Sequence, residues 1–89
     1  MFSTEETVEV ALLCDAELMK AVIDHFGSNV RTKPVGEKQF RATVKVCPSP
    51  TFYRWIFGWG GKLQIESPES VKERYQKLLI EELMRYSKQ

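Results

Sequence analysis

Apolar and polar residues alternate near the start of this chain, where Val8, Val10, Leu12 and Cys14 interleave with Glu9, Ala11 and Leu13. A period of two predicts a strand with one buried face. The period changes at Asp15, which offers an N-cap oxygen, with Glu17 placed where a helix dipole favours an acid. Met19, Val22, Ile23 and Phe26 then recur at helical spacing, and Gly27 closes the helix. Asn29 to Pro34 reads as a short strand with Val30 and Thr32 on one face, and Val35-Gly36-Glu37-Lys38 as a hairpin turn. Phe40, Ala42, Val44 and Val46 alternate with Arg41, Thr43 and Lys45, a further one-sided strand.

Pro48 ends that strand because it cannot donate to a ladder. Ser49-Pro50 opens the next helix as N-cap and first residue, with Phe52, Trp55 and Ile56 as the expected buried stripe and Gly58 as its end. Leu63 and Ile65 face inward from a last strand, and Ser67-Pro68 launches a helix reaching about Ser87. The order is β-α-β-β-α-β-α, an α+β fold. Its first six elements form a split βαβ repeat, the ferredoxin-like plan, with an antiparallel sheet in the order 4-1-3-2 and two helices on one face.

The last helix carries Val71, Tyr75, Leu78, Leu79, Leu83 and Tyr86 as one broad stripe, with Ile80 and Met84 on a second face. A helix packed on one side needs no second apolar face. Either it lies between two surfaces, or Ile80 and Met84 make a dimer or interdomain contact. Trp59, bracketed by glycines, belongs with them as a candidate contact. Glu73/Lys77 and Glu81/Arg85 have the spacing of helical ion pairs.

The 89 residues suit a single domain, and no apolar run approaches the ~20 residues of a membrane span. The acidic N-terminus lacks the order of a signal peptide, so a cytoplasmic location is expected. Cys14 and Cys47 are too few and too far apart for a zinc site or a disulfide framework. Charge is uneven: residues 1–30 hold six acids against one lysine (−5), and residues 31–54 six bases against one glutamate (+5). The strand positions facing away from the helices include Glu9, Ala11, Leu13, Lys62, Gln64 and Glu66, together with four bases, Arg31, Lys33, Arg41 and Lys45. These four are a candidate patch for an acidic ligand or nucleic acid; the alternative is the solvated side of an antiparallel sheet. The stacking aromatics of an RNA-recognition sheet are missing from these positions.

No pattern of catalytic residues stands out. His25, the single histidine, has no second metal ligand at suitable spacing, and the carboxylates are scattered. Gly58-Trp59-Gly60-Gly61 leads into a strand rather than a helix N-terminus, which argues against a phosphate loop. An acylphosphatase-like enzyme would need a glycine-rich anion loop where Leu13-Cys14-Asp15-Ala16 stands. A non-enzymatic protein with neither metal nor cofactor is expected.

A valine-rich first strand, a helix ending His25-Phe26-Gly27, the segment Trp55-Ile56-Phe57-Gly58-Trp59-Gly60, the strand Leu63-Gln64-Ile65-Glu66-Ser67-Pro68, and a helix ending Arg85-Tyr86 together resemble a known family. It is the C-terminal extension (WCX) of bacterial WYL-domain, helix-turn-helix transcriptional regulators of the DeoR type. The resemblance covers about residues 7–87. It implies a ferredoxin-like fold, a homodimer, and a regulatory role in ligand sensing, with WYL and DNA-binding domains supplied by a longer parent chain. On this expectation residues 1–89 are one domain of that parent. No functional residue carries over, because the name-giving WYL motif and the basic pocket lie in the absent domain.

Overall fold

Residues 7–27 and 30–87 are described by a computed structural model. The first strand, β1 (Val8–Asp15), is followed by a 3-10 turn (Ala16–Leu18) and helix α1 (Met19–Phe26). A hairpin of β2 (Arg31–Val35) and β3 (Gln39–Val46) comes next, then α2 (Pro50–Phe57), a second 3-10 turn (Gly60–Lys62), β4 (Leu63–Ser67) and α3 (Glu69–Ser87). The expected strand start at Asn29 lies outside the described residues.

The four strands form one antiparallel sheet in the order β2-β3-β1-β4, which read from the opposite edge is 4-1-3-2. Strand β1 has a partner on each side. Cys14 stands between Phe40 and Leu63, and Leu12 between Ala42 and Ile65. All six are buried, so the alternation in three separate segments converges on one apolar face. Leu18, Val22, Phe52, Tyr53, Ile56 and Val71 cover that face from the helical side. Opposite Ala11 and Leu12 the β4 register shifts: Ser67 pairs with Ala11 and Ile65 with Leu12, leaving Glu66 as the extra residue of a bulge.

Three helical expectations need correction. Asp15 does not cap α1. It stays in the sheet opposite Gln39, with no cap hydrogen bond, while Ala16 N donates to Lys38 O at 2.8 Å. That delays α1 and turns its buried edge to Leu18 and Val22, so Ile23 is exposed. In α2, Ser49 Oγ accepts from Phe52 N at 3.3 Å as a cap should, but Tyr53 replaces Trp55 in the buried set. In α3, Val71 is buried and Tyr75 and Leu78 are half-buried, whereas Leu79, Leu83 and Tyr86 are exposed.

The cause of the last difference is length. The 19 residues of α3 run ~28 Å at helical rise, while the five residues of β4 span ~17 Å. The helix outruns the sheet edge on which it packs. Neither Glu73/Lys77 nor Glu81/Arg85 closes as an ion pair; Lys20–Asp24 in α1 is the pair with that spacing among the described residues.

The core assignment predicts that Ile56→Ala will lower unfolding free energy by about 2–5 kcal/mol. Ile23→Ala, on the exposed edge of α1, should cost less than about 1 kcal/mol in the same urea titration. Equal losses would mean that α1 is seated as the bare periodicity suggested.

Candidate functional site

The turn after α2 is built on stacked rings. His25, though exposed, lies flat on Trp55 with centroids 4.2 Å apart and planes 12° from parallel. Phe26 meets Trp55 edge-on at 5.1 Å, and Trp59 meets it edge-on at 5.7 Å. This row ties the end of α1 to the end of α2. Trp55 and Trp59 are both half-buried against the core. Gly60 turns the chain with φ of 64°, a left-handed conformation that costs glycine nothing. Among the described residues, no group of three or more His, Cys, Asp or Glu side chains is placed to hold a metal.

The outer sheet face brings the four candidate bases together in neighbouring strands, with Arg31 opposite Thr43 and Lys33 opposite Arg41. It also supplies acids. Arg41 Nε donates to Glu66 Oε1 at 2.6 Å, across the intervening β1, and Arg31 donates to Glu9 at 3.1 Å. The bulge in β4 provides the extra residue, Glu66, that makes the first pair. Hydrogen bonding to Glu66, with its negative charge, raises the Arg41 pKa further. Lys33 and Lys45 form no ion pair among the described residues. Lys62 is not on this face: it sits in the second 3-10 turn, bonded to Glu17 at 2.8 Å. The patch is therefore half neutralised by its own neighbours.

A second feature went unseen in the sequence. Where α3 overshoots the sheet, a groove of about 590 Å³ opens between it and α2. Tyr53, Phe57, Tyr75, Leu79, Leu83 and Tyr86 form its walls, and Arg54, Arg85, Glu81 and Glu82 also line it. Tyr53 and Tyr75 stack at its inner end, with centroids 5.9 Å apart. Burial raises both phenol pKa values, and Arg74 partly offsets this at Tyr53. Ile80 and Met84 are exposed on the adjoining flank of α3. The available signal was Phe57, an aromatic residue outside the expected α2 stripe.

The cysteines differ sharply. Cys14 is buried in β1, its pKa pushed up to about 12, first by burial and then by the charges of Asp15 and Glu66. Cys47 is exposed, and both thiols are free.

The described residues form a small α+β domain with a one-sided antiparallel sheet and three helices. The WCX domain family model matches residues 6–81, and the chain belongs to that family. No curated protein and no solved structure matches it. Among the described residues, no helix is long and apolar enough to cross a membrane.

Thiol chemistry gives a direct check. In the native protein at pH 8, a thiol reagent should titrate Cys47 alone and reach Cys14 only after unfolding. Because the folded pKa of Cys14 exceeds its reference value of 9.0, its contribution to stability is complete below about pH 9 and is lost as pH climbs toward 12. Tyr53 and Tyr75 act in the same direction. A Cys14→Ala variant should show a shallower alkaline fall in melting temperature than the parent chain.

Proposed function

We propose that this domain is a non-enzymatic regulatory and dimerisation module of a bacterial transcriptional regulator, built on a ferredoxin-like plan. It relays ligand state to WYL and helix-turn-helix domains of a longer cytoplasmic chain, and meets DNA through that chain. The observation that carries the reading is membership of the WCX family over residues 6–81. The exposed apolar half of α3 supports the dimerisation part, because such a surface on a lone small domain is costly in water.

In this reading the module does its work mechanically. A rigid sheet with helices locked to one face sets the distance and angle between two subunits, and a change in packing at its edge biases the arms attached to it. Fusing the chain to a DNA-binding domain that represses only as a dimer tests this. Repression comparable to that of an established dimeric fusion is expected. A stable, well-expressed fusion that fails to repress would remove the dimerisation role.

The alternative is an effector module that takes an acidic metabolite or short nucleic acid on Arg31, Lys33, Arg41 and Lys45. The Glu9 and Glu66 pairs weigh against it, since a phosphate would have to displace a carboxylate from each arginine. Titration with a single-stranded oligonucleotide at ~50 and ~200 mM salt should show no binding by the native chain. A Glu9→Gln/Glu66→Gln double variant should gain binding that weakens as salt rises. Salt-sensitive binding by the native chain would favour the effector reading.

A further inference from the structure

We propose that a second copy of this chain docks on the overhanging half of α3 and on Phe57 of α2, forming a two-fold dimer through the groove between these helices. The proposal rests on the reading above that the domain dimerises, and it names the surface that does so.

Phe57 is 61% exposed, Leu79 38%, Ile80 56%, Leu83 64%, Met84 54% and Tyr86 77%. With ~200 Å² for each full side chain, these six leave on the order of 700 Å² of largely apolar surface in one neighbourhood. The largest apolar patch on a typical monomer is about 300–600 Å², and a stable interface uses about 800 Å² on each partner. The patch lies near the top of the monomer range and close to what one side of a dimer needs.

The patch is continuous. Phe57, Leu79, Leu83 and Tyr86 share the groove. Ile80 and Met84 extend it around α3, because positions three and four apart are neighbours on a helix. Phe57, Leu79 and Ile80 lie within the family match to residues 6–81, and Leu83, Met84 and Tyr86 lie beyond it.

Among these 89 residues, those outside the described ones supply two apolar side chains, Met1 and Phe2, too few to cover six exposed ones. Polyanions have no net attraction here, because Arg54 and Arg85 are matched by Glu81 and Glu82 along the same groove. A two-fold contact sets a patch against a copy of itself. A charge-balanced lining suits that arrangement, since the acids of one copy can meet the bases of the other.

Sedimentation of the 89-residue chain over about 5–500 μM provides the test. The native chain should pass from monomer to dimer within that range. Leu83→Glu should weaken association at least tenfold with an unchanged monomer melting temperature, because Leu83 is mostly solvent-exposed. Ile80→Glu should do the same, and it decides the matter if Leu83→Glu melts lower. Lys45→Glu, on the outer sheet face, should associate normally. If both α3 variants dimerise like the native chain, this face is wrong although dimerisation stands. Loss of the dimer in Lys45→Glu alone would move the interface to the sheet and overturn the proposal. A native chain that stays monomeric throughout would overturn both the surface and the dimerisation reading.

Discussion

The structure depends on β1 being paired on both sides while burying one face. Val10, Leu12 and Cys14 sit at its centre with no exposed surface, and each faces a buried residue across the β3 ladder. Burying a large aliphatic side chain is worth about 1.5–3 kcal/mol, so this face accounts for much of the favourable energy available to so small a domain. Its register is strongly specified. A one-residue slip of β1 would send Leu12 to the polar face and bring Glu9 and Leu13 inward. The helical segments after β1 and β3 are held by what they add to this surface: the first 3-10 turn contributes Leu18, α1 contributes Val22, and α2 contributes Phe52, Tyr53 and Ile56.

A one-sided core leaves the other sheet face to electrostatics. Uneven charge along the chain suggested a basic face, but folding mixes the two halves. Strand β1 brings Glu9 from the acidic segment alongside the basic hairpin, and the β4 bulge brings Glu66 toward Arg41. Linear charge segregation thus becomes local charge balance, because antiparallel pairing sets the first acidic strand against the basic one. What remains is Lys33 and Lys45 on a face that is otherwise self-paired among the described residues. Counting bases per segment overstated the potential of this surface, and strand adjacency is the reason.

Strands β1, β3 and β4 were legible in the sequence because a period of two records a single burial face, whereas β2 exposes Arg31, Thr32, Lys33 and Pro34 and was legible through the hairpin turn that follows it. The Ser49 cap was legible for a similar reason, since Ser-Pro at a helix start has few other uses. Helix faces were harder. Asp15 has the chemistry of a cap, yet its backbone pairs with Gln39, and a tertiary ladder outweighed a local preference. In α2, Phe52, Tyr53, Trp55 and Ile56 all suit a core. Which of them is fully buried depends on where α3 and α1 lie: Tyr53 stacks on Tyr75 of α3, while Trp55 turns toward His25 and Phe26. The basic residues of the candidate patch were correctly placed on one face, but their partners were not foreseen. Pairing across an intervening strand leaves no signature in linear spacing.

The overhang of α3 shows how an element can be stable and still leave apolar surface unsatisfied. Its first half is docked through Val71, Tyr75 and Leu78. Its second half is rich in leucine, glutamate, methionine and arginine, which favour helix, and elongating a helix from a docked turn is far easier than starting one. The helix therefore continues past the sheet without packing to support it. Nothing in helix propensity requires Leu79, Ile80, Leu83 and Met84 to be apolar there, since lysine or glutamine would extend the helix as well and spare the hydration cost. Local helix stability thus explains why the segment is helical but not why it is apolar. The apolar residues fall where α3 leaves its own sheet, and Phe57 of α2, a residue the core does not use, stands beside them. Two elements distant in sequence present apolar side chains to the same space, and that convergence points to a surface shaped by contact with something beyond the domain's own core.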